Sequence, residues 1–309
     1  MEDYNKIIES LGVKFRKSVN IKILQSFKVS NHYDVENYIY LLHDGELSHS
    51  NGEEKVEKGD MLFIPGGRAS VLSYGIGADN KVVDNQEYIS HQERYFEANT
   101  DANTVGKLPN SFSYIAFEAK VFDSINFFTS LDIPPFIIRD NPGLARIIKE
   151  IVVEDMNDMP GKNRVIQNKT EQVVIEVVRY ILREGLFVEK LATNSTYFKD
   201  PRLIDIFNYI KQYLGGDLSN KVLAGVANVS EDYVGQYFKM LTQINPQDYI
   251  EYQRMEKAVH LLRTTKKSIR EIGSEVGYKD TAYFCRRFKM MFGIPAGKMR
   301  RRDSLMNVN

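Results

Sequence analysis

The sequence predicts an α+β chain. A strand-rich N-terminal barrel is followed by helices, and then by an all-α C-terminal domain with two helix-turn-helix subdomains. Three observations predict it. Short β-rich runs, punctuated by Gly, Asn and Asp, fill the first 120 residues. After about residue 140 the apolar residues recur at helical spacing. The last third repeats itself at a spacing of fifty residues: Tyr233, Phe238, Lys239, Met240 and Ile244 recur as Tyr283, Phe288, Lys289, Met290 and Ile294, and Val226 recurs as Val276.

Composition narrows the function classes. A chain of 309 residues, 43% of them apolar, has enough material for two ordinary domains with real cores. No apolar run approaches the roughly 18 residues a membrane span needs, so no membrane partner is expected. The N-terminus, MEDYNKIIES, lacks the apolar core of a signal peptide. Cys285 is the sole cysteine, which rules out an intramolecular disulfide and a Cys-based zinc site. These features fit a cytoplasmic protein. The formal net charge of +0 hides an asymmetry. Residues 201–309 hold 18 Lys and Arg against 11 Asp and Glu, a net of +7, while residues 1–200 carry −7. A basic C-terminal block attracts phosphates.

The expected strands are Ile21-Lys22-Ile23, Tyr38 to Leu42, Met61 to Ile64, Ser70 to Tyr74 and Tyr114 to Phe117. Asn51-Gly52 reads as a hairpin turn, because both positions tolerate positive φ. Many short strands with such turns suggest a small barrel or sandwich. Leu144, Ile147, Ile148 and Ile151 then share one helix face. Val173, Val174, Val177, Val178, Ile181 and Leu182 share another, which packs on its own domain or forms a helix–helix dimer seam. The polar run 192–201 ends in Pro and reads as a linker between domains at 1–191 and 202–309.

In the C-terminal block, Leu203, Ile206, Phe207 and Ile210 open a helix that stops at Gly215-Gly216. Leu218 to Ala227 is a short helix, Asn228-Val229 a turn, and Ser230 the cap of a second helix whose buried stripe is Tyr233, Val234, Tyr237, Phe238 and Leu241. A long helix follows from about Pro246. The pattern then recurs, with Ile269 to Val276, a turn at Gly277-Tyr278, a cap at Asp280, and an apolar face of Tyr283, Phe284, Phe288 and Phe292.

These residues resemble the DNA-binding domain of the AraC/XylS family of transcription regulators. The matching pieces are Leu223-Ala224 with Ser230, Tyr249, Ala258 with Leu261-Leu262, and Ile269 with Ile272. Val276-Gly277-Tyr278, Tyr283-Phe284, Phe288-Lys289, Phe292-Gly293, Pro295 and Arg300 complete the set, over about 100 residues in register. The resemblance implies two helix-turn-helix subdomains joined by one long helix, binding double-stranded DNA as an activator or, less often, a repressor. It also implies a homodimer, with RNA polymerase as a further partner if the protein activates.

The exposed side of the second recognition helix leaves Thr281, Ala282, Cys285 and Arg286, where the resemblance also places base contacts. Arg286 can donate two hydrogen bonds to guanine O6 and N7. The first copy offers Asp232, Gly235 and Gln236 instead. Only Gln236 is an ordinary base reader, so the second subdomain is expected to carry more of the discrimination. Lys239, Lys279, Arg287, Lys289 and Arg300 to Arg302 are candidate contacts to the DNA backbone, which position without specifying.

The stretch Gly59 to Gly67 resembles the G-x5-P-x-G motif of cupin-type barrels. Where a metal-binding cupin has histidine, this chain has Ser70, and His43 and His49 stand six apart in a loop-like segment. No metal and no cofactor are therefore expected. Tyr40, His49 and Arg68 are the candidate effector-pocket residues. The leading reading is a sequence-specific DNA-binding regulator whose N-terminal domain senses a small-molecule effector. A second is a regulator without ligand, whose N-terminal half dimerises or binds a protein. A remote third, a cupin-type enzyme, lacks its histidine ligands, so no enzymatic activity is expected.

Overall fold

The computed structural model describes residues 5, 8–9, 11–49, 54–67, 69–77, 81–121, 125–187, 200–242 and 244–300. The chain divides into two compact units, one of residues 8–120 with 126–188, the other of 1–7, 121–125 and 189–309.

The first unit is built on two antiparallel sheets. One contains β1 (Leu11–Ile23), β3 (Asn37–Asp44), β6 (Met61–Ile64), β9 (Phe96–Asn99), β10 (Ser111–Val121) and β12 (Phe136–Ile138), in the order β12-β6-β3-β10-β1-β9. The other runs β5-β4-β7-β2-β8, from β2 (Phe27–Tyr33), β4 (Leu47–His49), β5 (Glu54–Val56), β7 (Ala69–Tyr74) and β8 (Val82–Val83), the last joined in parallel. β11 (Ile125–Asn126) lies between β10 and β12 in sequence. The barrel is realised as a sandwich, for the two sheets do not close on each other. Aromatic rings join them: Tyr74 of β7 lies 5.6 Å from Phe112 of β10 and 5.0 Å from Phe96 of β9. Full burial of such rings contributes roughly 1.5–3 kcal/mol each.

Every expected strand is present, but several are longer. Ile21 to Ile23 is only the end of β1, whose half-buried Lys and Arg positions hide its alternation from the sequence. His43 and His49 sit in β3 and β4, not in a loop. Asn51-Gly52 lies outside the described residues.

Helices α1 (Asn85–Ser90) and α2 (Phe127–Ser130) are short, and α3 (Pro142–Met156) and α4 (Lys162–Arg183) complete the unit. Asn141 caps α3 by accepting from the Leu144 N–H at 3.0 Å, with Pro142 preset for the first turn. α3 and α4 pack on each other and on β1. Gln167 of α4 accepts from the Phe15 N–H at 3.2 Å and donates to the Val13 carbonyl at 2.8 Å, pairing backbone groups of β1. The valine stripe of α4 is buried inside its own unit, with Val173, Val174, Val177 and Val178 at 0–2% exposure. It is therefore not an exposed dimer seam.

In the second unit α5 (Pro201–Gln212), α6 (Asn220–Ala227), α7 (Glu231–Thr242), α8 (Pro246–Thr264), α9 (Ile269–Glu275) and α10 (Thr281–Phe292) follow in order. The first of these starts just after residues 188–199, so most of the expected linker lies outside the described residues. Phe207 of α5 packs edge-on against Phe238 of α7 at 5.4 Å and Tyr249 of α8 at 5.2 Å. In the second half Phe284, Phe288, Phe292, Ile272 and Val276 are buried.

Two substitutions test the N-terminal core. A Cβ on Gly66 would lie 2.1 Å from the Val35 carbonyl oxygen, backbone against backbone. Gly66→Ala is expected to cost about 2–3 kcal/mol, read as a lower denaturation midpoint. His43 is buried with its Nε2 2.7 Å from Ser113 Oγ, and burial, helped by the charge of Lys149, pushes its pKa down to about 4. The unfolded chain takes up that proton from about pH 6.5 downward. Stability is therefore complete above pH 6.5 and falls as pH drops towards 4. His43→Gln is expected to flatten that fall in a melting-temperature series.

Candidate nucleic-acid interface

Both helix-turn-helix units are built by local sequence. In the first, Asn228 ends α6 with a φ of +53°, and its N–H donates to the Gly225 carbonyl while Val229 N–H donates to Ala224 at 3.0 Å. In the second, Gly277 has a φ of +96°, and Tyr278 N–H donates to Gly273 at 2.8 Å. These bonds align Asn228 with Gly277 and Ala224 with Gly273, an offset of 49, whereas the recognition helices α7 and α10 begin fifty apart at Glu231 and Thr281. The second turn is one residue longer. The repeat from Val226 to Val276 is thus a coincidence of sequence. Structurally Val276 matches Ala227, and both are buried.

Each recognition helix starts cleanly. Asp280 accepts from the Tyr283 N–H at 2.5 Å, and the Ser230 carbonyl accepts from Tyr233 and Val234 at 3.1 Å. Ser268 and Glu271 close a reciprocal capping box on α9, at 3.2 and 2.7 Å.

The two recognition helices also bury the same positions. Val234 and Phe238 match Phe284 and Phe288, all at 0% exposure. Tyr233 and Tyr283 do not join these stripes. They are 43% and 47% exposed, since each lies one step of about 100° outside the buried row. Ile244 and Ile294 differ, one exposed and one buried.

The exposed side of α10 carries Ala282, Tyr283, Arg286, Lys289 and Met290, with Thr281 and Cys285 half-buried at its edge. Cys285 is a free thiol. The exposed side of α7 carries Asp232, Tyr233, Gln236, Lys239 and Met240, with Gly235 at the place of Cys285. The Arg286 guanidinium lies 5.9 Å from the centre of the Tyr283 ring. Such a contact stabilises the cation in place and limits the rotamers it must give up on binding. Tyr283 is the residue sequence reasoning missed. Its recurrence at Tyr233 looked like a core signal, because core and surface positions repeat alike.

Two of the backbone candidates are redirected. Arg287 faces α8, where its Nε donates to Glu251 Oε1 at 2.5 Å and a terminal nitrogen donates to Oε2. A guanidinium held by a carboxylate fork is not a ready phosphate contact. Arg300 donates to the Lys267 carbonyl, which ties residues 296–300 to the loop before α9. Lys239, Lys279 and Lys289 remain exposed, and Arg301 and Arg302 lie outside the described residues.

A family described as a helix-turn-helix domain matches residues 223–302. The C-terminal domain of AraT, a response regulator from Geobacillus stearothermophilus, is 32% identical, covering 33% of this chain and 85% of that one, with a TM-score of 0.32. The HTH-type transcriptional regulator MtrA of Neisseria gonorrhoeae is 21% identical over 262 residues, 85% of this chain and 82% of the relative. The chain belongs to the AraC/XylS family. It is a DNA-binding transcriptional regulator. ToxT from Vibrio cholerae O395 shares the whole fold, at a TM-score of 0.52 and 10% identity over 95% of this chain and 98% of that one. No helix among the described residues is long and apolar enough to cross a membrane.

The proposed effector residues are separated by the structure. Tyr40 points into the sandwich, stacked on Tyr38 at 5.9 Å, and burial pushes its hydroxyl far above the ordinary phenol range. His49 is buried in β4, with Nε2 2.9 Å from Glu54 Oε2. Arg68 lies outside the described residues. A different set gathers near Tyr40. Tyr38 Oη donates to buried Asp34 at 2.6 Å, and the buried His32 ring stands 6.1 Å from the Tyr38 ring. Ser70, cross-strand partner of His32, is buried with no hydrogen-bond partner for its hydroxyl among the described residues. Only Ser70 carried a sequence signal, as the residue in place of a cupin histidine.

Arg286→Ala is expected to lower affinity for the cognate duplex about 10- to 100-fold and for random DNA far less. Lys289→Ala is expected to weaken both equally and to reduce the slope of log affinity against log salt by about 1. Equal losses on both duplexes for Arg286→Ala, in a gel-shift titration, would make it a backbone contact instead.

Proposed function

We propose that this regulator is a cytoplasmic, homodimeric, effector-responsive activator that recruits RNA polymerase, and that α10 carries most of its sequence discrimination through Arg286. The assignment of Arg286 rests on its exposure and its contact with the Tyr283 ring. Gly235, by contrast, offers α7 no side chain at the position of Cys285. Activation is the commoner role in the family that the sequence resembles.

The effector reading rests on the interior of the sandwich. Buried Asp34 in the turn after β2, buried His32 and the Ser70 hydroxyl, which has no hydrogen-bond partner among the described residues, set polar groups beside an otherwise apolar interior. A buried hydroxyl without a partner costs about 1–3 kcal/mol, which a hydrogen-bonding ligand would recover on binding. The ligand is a small molecule carrying hydroxyl or amide groups, held beside Tyr38 and Tyr40. Its binding shifts the chain between DNA-binding and idle states only if the two states bind it unequally.

A thermal-shift screen of sugars, organic acids and aromatic metabolites on the full chain tests this. A hit is expected to raise the melting temperature with concentration, to change DNA affinity, and to lose its effect in Asp34→Asn. A panel with no shift would favour a ligand-free N-terminal unit that only dimerises or binds a protein. In vitro transcription with and without the hit separates activation from repression.

A further inference from the structure

Two reading helices on one chain recognise two grooves only if something fixes their separation. That fixing is visible on α8. Its first turns belong to the core of the first helix-turn-helix unit, where Tyr249 and Ile250 are buried beside Phe207 and Phe238. Glu251 and Arg254, one turn apart, face elsewhere. Arg254 donates from Nε to the Leu214 carbonyl at 3.0 Å and from a terminal nitrogen to Gly216 at 2.9 Å, both at the end of α5. The same guanidinium lies 5.9 Å from the Tyr278 ring and against Gly277, where a Cβ would come within 2.8 Å of it. It therefore touches both helix-turn-helix units at once. Glu251 holds Arg287 of α10 through both carboxylate oxygens and receives the Tyr278 hydroxyl at 3.4 Å.

The two helix-turn-helix units meet backbone to backbone beside Gly215. A Cβ on Gly215 would lie 2.5 Å from the Glu275 carbonyl oxygen, so the backbones meet there. Beside this point an open polar cleft of about 800 Å3, bounded by Ser219, Gln247, Ser274 and Lys279, separates them. Past this cleft, Glu251 and Arg254 of α8 reach Arg287 and Tyr278 of the second helix-turn-helix unit.

We propose that Glu251 and Arg254 are specificity-determining positioning residues, which hold the two recognition helices at one separation and so restrict binding to one spacing of the half-sites. Neither residue need touch DNA. The proposal rests on the DNA-reading role of the two helices, and its test distinguishes the two.

A site is selected from a random duplex library on the full wild-type chain, then rebuilt with one base pair added or removed between its halves. One base pair moves the second half by about 3.4 Å and turns it by about 35°. Wild type is expected to lose about ten-fold or more on each respaced site. Glu251→Gln is expected to reduce that penalty to about three-fold, while its affinity for a duplex with one half scrambled stays within about two-fold of wild type. Arg287→Gln, which removes the other partner, is expected to flatten the spacing preference equally, and the double variant no further. It also serves if Glu251→Gln proves too unstable to titrate. A spacing penalty unchanged in both variants, or a loss as large on the half-scrambled duplex, overturns the proposal. So does a wild-type chain indifferent to spacing. A wild-type chain that selects no duplex at all would sink the DNA-reading role beneath it.

Discussion

The C-terminal architecture depends on a helix that serves two cores. α8 contributes Tyr249 to the first helix-turn-helix unit, and further along it buries Ala258, Val259 and Leu262. A single continuous helix gives its ends little freedom to rotate independently, so each core constrains the other. Glu251 and Arg254 extend that constraint to the surface, where a carboxylate meets Arg287 and a guanidinium bridges the end of α5 and Tyr278. Charge-assisted, two-pronged contacts of this kind set angle as well as distance. Arg287 thus links α10 to α8 through both oxygens of Glu251.

The two helix-turn-helix units are alike in fold and unequal in what they present. Their burial patterns match nearly position for position along α7 and α10. At the equivalents of Cys285 and Arg286, the first helix has Gly235 and Gln236. An acidic Asp232 in the first turn suits the helix dipole and does not suit a phosphate. The pair Tyr283 and Arg286 has no counterpart in the first unit, because Gln236 cannot make a cation–ring contact with Tyr233.

Much of this was legible in the sequence because it is local. The caps at Asp280 and Ser230, the αL turn residue Gly277 and the buried Phe238 and Phe288 all follow from spacing and residue type. What could not be read depends on residues far apart in the chain. Glu251 and Arg287 are 36 residues apart, and nothing in either neighbourhood announces the partner. The extra residue in the second turn was masked by an accidental match of Val226 with Val276. Tyr233 and Tyr283 read as core in the sequence because a repeat preserves surface residues as readily as buried ones. In the N-terminal unit the fold class was legible from turns and alternation. The grouping of His32, Asp34, Tyr38 and Ser70 was not, since a β-bulge between Val29 and His32 resets the register that places them together.

The most direct measurement is a single-base substitution scan of the selected duplex, with full-chain affinity measured at fixed salt. Two sensitive major-groove segments about one helical turn apart are expected, with substitutions under α10 costing roughly 1–3 kcal/mol and those under α7 distinctly less. One sensitive segment, or equal costs in both, would contradict a chain that holds two helices at a fixed separation and reads mainly with the second.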